Sequence, residues 1–187
     1  RDITDSINYA LRIQKAVMPS HNYSMELFSD NFIFLKPRDI VSGDFFWTTR
    51  VKDLVVVIAA DCTGHGVPGA FMSMLGMSFL NEIVIENQIY QPDLILNQLR
   101  SKIILAFEKK SGETERKDGM DISLCVLDKT TLELQFAGAY NPLYIVRETS
   151  KFSKEIKNEK DYKYMENGNF GLIEIKASKM PVGKHIL

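Results

Sequence analysis

The sequence predicts an α+β domain made of antiparallel sheets with helices laid on them. Short strand-like runs follow one another across links of hairpin length, the shortest being Lys52-Asp53. Two long amphipathic stretches, Gly66 to Glu86 and one opening at Pro92, interrupt the strands only in the middle of the chain. A doubly wound parallel sheet would need a helix-length crossover after nearly every strand. The short links do not allow that.

The first element is a helix over residues 2–17, with Thr4 or Asp5 able to cap its start and Pro19 ending it. Ile3, Ile7, Ala10, Leu11, Ala16 and Val17 fall near a seven-residue rhythm. That pattern fits a helix packed on its own domain, or the end of a coiled-coil linker from an upstream domain. Opening at Arg1 without Met, the chain reads as cut from something longer. The expected organisation is a linker helix over 1–19 and one domain over 20–187.

Residues 31–36, 43–51 and 54–60 read as strands. Residues 55–60 are apolar on both faces, so their strand should be central and covered on both sides. From Gly66 to Glu86, Ala70, Met74, Met77, Leu80 and Val84 recur at helical steps, and Phe71, Leu75, Phe79 and Ile83 widen the stripe. Gly69 and Gly76 would allow close approach to a sheet, and the methionines read as core filler. Pro92 suits the first turn of the next helix, whose apolar face is Leu94, Ile95, Leu99, Ile103 and Phe107.

Residues 111–119 are polar and read as a loop. Three further strands are expected over 122–127, 132–137 and 143–147. Residues 148–163 carry lysines at 151, 154, 157, 160 and 163, which reads as a solvated excursion or as a substrate-docking strip. Residues 162–175 hold Asn167-Gly168 and read as a hairpin. The closing Ile186-Leu187 reads as the start of another strand, so the domain is expected to be incomplete.

Composition narrows the function classes. At 187 residues and 45% hydrophobic, one domain with a real core is the simplest reading. A formal net charge of −1 gives no global electrostatic case for nucleic acid. No unbroken apolar run approaches the roughly 20 residues that span a bilayer, and no signal peptide opens the chain. Cys62 and Cys125 lack metal-ligand spacing and read as small buried hydrophobes in a reducing cytoplasm.

The chemistry concentrates at two aspartates. Asp44 closes Val41-Ser42-Gly43-Asp44, beside a strand. Asp61 ends the apolar run and opens Cys62-Thr63-Gly64-His65-Gly66. Carboxylates at the tips of neighbouring strands can hold a divalent cation, and Mg²⁺ and Mn²⁺ favour oxygen donors. Gly64 and Gly66 suit the positive backbone angles of a tight turn. Either aspartate alone also reads as a turn or helix-capping residue. His65 has an intrinsic pKa suited to proton transfer, although a turn-stabilising role is the plainer reading. Lys36 and Arg38 could attract a phosphate or serve only as surface charge. Asp118 reads as a strand-entry turn, and Asp121 as a structural hydrogen-bonding residue near the cleft. A nucleotide cradle at Gly64 and Gly66 is disfavoured, because the Walker Lys-Ser/Thr is missing.

The surrounding words resemble the SpoIIE-type branch of the PP2C-like (PPM) serine/threonine phosphatases. They are Lys36-Pro37-Arg38-Asp39-Ile40-Val41-Ser42-Gly43-Asp44-Phe45-Phe46-Trp47 and Ala60-Asp61-Cys62-Thr63-Gly64-His65-Gly66. Asp118-Gly119-Met120-Asp121, Gly138-Ala139-Tyr140-Asn141-Pro142 and Met180-Pro181-Val182-Gly183 follow in the same order. The resemblance implies a PP2C-like αββα sandwich of two antiparallel sheets flanked by helices, truncated here at the C-terminus. It implies two Mn²⁺ or Mg²⁺ ions, with Asp44 as first metal ligand, Asp61 as bridging ligand and Cys62 offering its backbone carbonyl. The family's remaining metal aspartates fall in a later Ser-Asp-Gly segment and near the domain's end. The implied activity is hydrolysis of phosphoserine or phosphothreonine on a bacterial signalling partner, such as a STAS-domain anti-sigma-factor antagonist. An upstream sensor domain, a homodimer through the first helix, and a cytoplasmic domain in a possibly membrane-anchored parent complete that expectation. The alternative is a catalytically incompetent interaction module.

Overall fold

The computed structural model describes residues 2–107, 118–152 and 162–183. Helix α1 spans Asp2–Val17 and α2 spans His21–Glu26. Strands β1 (Phe45–Val51) and β2 (Leu54–Cys62) precede α3 (Gly66–Leu80), which continues as a π-helical stretch over Asn81–Glu86. Then come α4 (Pro92–Phe107), β3 (Gly119–Asp128), β4 (Leu134–Ala139) and β5 (Leu143–Glu148). Strands β6 (Tyr162–Asn167), β7 (Phe170–Ile175) and β8 (Val182–Gly183) end the described chain.

The strands form two antiparallel sheets, one in the order β1-β2-β3-β4 with β8 also on β3, the other β5-β7-β6. Val51 pairs with Leu54 across the Lys52-Asp53 turn, where Lys52 takes a φ of 56°. Asn167 pairs with Phe170 around Gly168, whose φ of 59° suits a residue without Cβ. Both expected hairpins therefore form.

The core lies between the first sheet and helices α3 and α4. Phe45 and Trp47 from β1, Val56 and Ile58 from β2, and Ile122 and Leu124 from β3 face Met77, Leu80, Ile83, Ile95 and Leu99. At about 25 cal/mol per Å² of apolar area removed from water, this layer is the main source of stability. Gly76 lets α3 approach the sheet: a Cβ there would meet Met120 Cε at 3.0 Å and Phe45 Cζ at 3.3 Å. The indole N–H of Trp47 donates to Asn81 Oδ1 at 3.1 Å, fixing β1 to the start of the π-helical stretch.

Several expectations need correction. Residues 31–36 form no strand: they share no ladder, and Phe32 and Phe34 are 87% and 82% exposed. A short apolar run is compatible with a strand but cannot supply the partner that makes one. Helix α2 went unread because it is one turn and a half, capped by Ser20 accepting from the Tyr23 amide. Helix α1 begins before Thr4 and Asp5, so neither caps it. The expected stripe of α3 and its continuation faces inward, with Ala70, Met77, Leu80, Ile83 and Val84 buried; Phe71 departs from it at 65% exposure, and Met72 and Ser73 are buried as well. Strand β2 is central, yet Ala59 is exposed and Val57 half-buried, so only its helix-facing side is fully covered. The stretch Gly66–Glu86 is long and apolar enough to cross a membrane by length and composition, although polar residues interrupt its apolar run; here it is the half-buried helix of the core. Of the expected loop over 111–119, residues 111–117 lie outside the described residues and Gly119 already begins β3; most of the lysine-bearing excursion and Ile186-Leu187 also lie outside them.

Candidate metal centre

The β1–β2 ladder pairs Phe45 with Ala60, so the next step toward the sheet end sets Asp44 beside Asp61. The β2–β3 ladder pairs Asp61 with Asp121. Three carboxylates therefore line up across three adjacent strands. Alternation along β2 turns the Cys62 side chain into the core and Asp61 to the opposite face.

Electrostatics at this edge favour a cation. Burial, a hydrogen bond with Asp61 and the Asp61 charge, in that order, hold the Asp44 carboxyl above the usual carboxylate range. Burial, followed by the Asp61 charge, does the same to Asp121. Neighbouring carboxylates resist joint ionisation unless positive charge is supplied. Burial, with the charges of Asp61 and Asp44 behind it, pushes the Cys62 thiol up to about 12. The thiol thus stays neutral, and the backbone carbonyl is the Cys62 group suited to a hard cation.

Glycines bring the backbone pieces together. A Cβ on Gly43 would stand 2.8 Å from the Gly64 carbonyl oxygen and 3.4 Å from that of Cys62. One on Gly69 would stand 2.6 Å from the Gly64 oxygen. Gly64 and Gly66 take φ of 90° and 62°, as the turn was expected to need. Thr63 ties the turn to β3: its amide donates to the Gly119 carbonyl at 2.9 Å, and its Oγ1 accepts from the Gly119 amide at 3.2 Å.

His65 stands at the N-cap of α3 without a side-chain capping bond. Its Nδ1 lies 3.0 Å from Asp39 Oδ2, an exposed pair that clasps the segment before β1 to the turn after β2. Sequence reading passed over Asp39, because the contact joins residues 26 apart. Asp118 lies at the entry to β3, as expected.

A cleft of about 510 Å³ opens from the carboxylates along the side of β1 and β2. Asp44, Asp61, Lys36, Asn141 and the apolar Phe32 and Phe34 are among its lining residues. Lys36 therefore shares the cleft with the aspartates, whereas Arg38 is exposed and does not line it. Among the described residues no group of three His, Cys, Asp or Glu side chains is placed to hold one ion. Two carboxylates with backbone carbonyls beside them nonetheless form an all-oxygen donor set that fits Mg²⁺ or Mn²⁺.

Fold and site together define a PP2C-like α+β domain. Residues 52–161 match the family model described as stage II sporulation protein E (SpoIIE), and the chain belongs to that family. Among solved structures it is similar to the SiaA-PP2C domain of Pseudomonas aeruginosa, at 28% identity and a TM-score of 0.72. That match covers 97% of this chain and 63% of the other, so the chain spans less than two thirds of that relative. Another match is titled as the bacterial stressosome, a modular system adapted to control secondary messenger signaling. It is 18% identical, covers 60% of this chain and 51% of the other, and has a TM-score of 0.43. The RsbU and RsbW domains of Rv1364c from Mycobacterium tuberculosis match at 22% identity, 58% and 28% coverage and a TM-score of 0.44. Scores this low add nothing to the fold comparison. No curated protein matches the chain. Family and fold together place the chain among SpoIIE-type, PP2C-like domains.

Proposed function

We propose that this chain carries the first metal-binding half of a protein serine/threonine phosphatase domain, acting on phosphoserine or phosphothreonine of a protein partner. The observation behind the reading is the Asp44–Asp61 pair at the end of a cleft that also holds Lys36. Asp44, Asp61 and the Cys62 carbonyl would hold Mn²⁺ or Mg²⁺, which when bound supply an activated water and neutralise phosphoryl charge. Lys36 attracts the phosphate into the cleft. Arg38 adds only exposed positive charge. His65, held by Asp39, keeps the Asp61 turn in place. The substrate proposed from the family resemblance is a bacterial signalling protein, such as a STAS-domain anti-sigma-factor antagonist. In the same reading α1 follows an upstream sensor domain, and the domain works in the cytoplasm.

A second reading is an interaction module without turnover. It is favoured by the donor count: among the described residues no three His, Cys, Asp or Glu side chains are placed to hold one ion, Asp121 being in line with the pair without completing such a group. Manganese-dependent hydrolysis of a phosphoserine peptide separates the two. The assay uses this chain beside a longer form running through the family's Ser-Asp-Gly segment, each with Asp61→Asn as control. Activity in the longer form, lost in Asp61→Asn, supports the phosphatase. A folded longer form without activity supports the interaction module.

A further inference from the structure

We propose that Gln14 is a positioning residue through which α1 sets the placement of Asp44 relative to Asp61. Gln14 is 2% exposed and is the one side chain of α1 that is fully buried. Its Nε2 donates to the Ser42 carbonyl at 2.6 Å and to Ser73 Oγ at 2.8 Å. Its Oε1 accepts from the Ser42 amide at 3.0 Å. Reversing the amide would set an NH₂ against the Ser42 N–H, so the orientation follows from the partners.

Ser73 Oγ completes the cluster. It lies 3.0 Å from the Ser42 carbonyl and 2.9 Å from that of Ala70. Its one proton serves one of these acceptors while the oxygen accepts from Gln14. A buried amide with every donor and acceptor engaged has one low-energy placement, since moving it leaves polar groups unpaired away from water.

The partners give the cluster its consequence. Ser42 is two residues before Asp44 and adjoins Gly43, whose Cα packs beneath the Gly64 carbonyl. Ser73 is in α3, the helix that grows from the Asp61 turn. One side chain thus ties α1 to the segment that leads into Asp44 and to the helix that follows the Asp61 turn. A shift of α1 along its axis must break these bonds or carry Ser42 with it, which makes α1 a mechanical input to the site. The effect on metal rests on the function proposed above; the hydrogen-bond coupling does not.

The test compares Gln14→Met, which keeps length and burial, with Leu11→Ala, which trims the same half-buried side of α1 outside the cluster. Hydrogen exchange and amide NMR shifts are read at residues 42–44 and 61–64, and Mn²⁺ affinity by calorimetry. In Gln14→Met the Ser42 amide is expected to exchange about tenfold faster, the Asp44 and Asp61 amides to shift, and Mn²⁺ to bind about tenfold more weakly. Leu11→Ala is expected to lower the melting temperature without these changes. Shifts that stop at Ser42, or equal effects from Leu11→Ala, overturn the inference. If the unmodified chain takes up no Mn²⁺, the metal reading fails, and the shifts at Asp44 and Asp61 still decide the role of Gln14.

Discussion

The backbones of Gly43 and Gly64 meet so closely that a Cβ on Gly43 would stand 2.8 Å from the Gly64 carbonyl oxygen. Both atoms belong to segments fixed by a strand and a turn, so neither can yield cheaply. Gly43→Ala is expected to destabilise by about 1–3 kcal/mol through overpacking. Gly69→Ala should cost as much or more, with 2.6 Å to the same oxygen. Urea denaturation at constant m-value measures both.

The paired carboxylates predict an inverted pH dependence. Asp44 and Asp121 have pKa values raised by folding. A raised acid contributes stability below its unfolded pKa, near 3.8, and loses it as pH climbs through the folded value. Asp44→Asn is therefore expected to stabilise the metal-free chain at pH 7 and to leave it unchanged near pH 3. Denaturation midpoints at the two pH values check the sign.

Metal should reverse that order. Mn²⁺ at about 100 times its dissociation constant stabilises the native chain by about 2.7 kcal/mol. Asp44→Asn and Asp61→Asn should lose most of that gain. A thermal shift equal in all three proteins would remove both aspartates from the metal site.

The two thiols are expected to be inert in the folded chain. Burial first of all raises Cys62 to about 12 and Cys125 to about 11. At pH 8 an aromatic disulfide reagent should label both cysteines only after unfolding, because the thiolate is the reacting form. Cys62→Ala should keep Mn²⁺ affinity within about threefold, since only the backbone carbonyl is proposed as a ligand. Rapid labelling of Cys62 in the native state would contradict its burial.

His65 and Asp39 form an exposed pair, so a double-mutant cycle should return a coupling of at most about 1 kcal/mol. As a turn clasp, His65→Gln should leave phosphopeptide turnover within about tenfold. A loss of about 100-fold or more would instead make His65 a proton donor in the reaction.

Much of this architecture was legible in local chemistry. The Lys52-Asp53 and Gly168 turns and the apolar run ending at Asp61 each carry their own conformational signal. So do the Gly64 and Gly66 positions. The motif words around Asp44 and Asp61 identified the family from short segments, because metal-bearing turns constrain nearly every residue in them.

What the sequence alone determined was most of the element types, the two aspartates and the family. What only the tertiary structure decided was contact between distant residues. The Asp44–Asp61–Asp121 row exists because ladder register, a property of three strands together, lines up their ends. Phe32 and Phe34 show the reverse case, since a short apolar run remains unpaired where no neighbouring strand supplies hydrogen bonds. Gln14 reads as an ordinary surface residue of a helix. Its burial and its hold on Ser42 and Ser73 depend on where α1 lies against α3, and neighbouring residues in the chain do not encode that position.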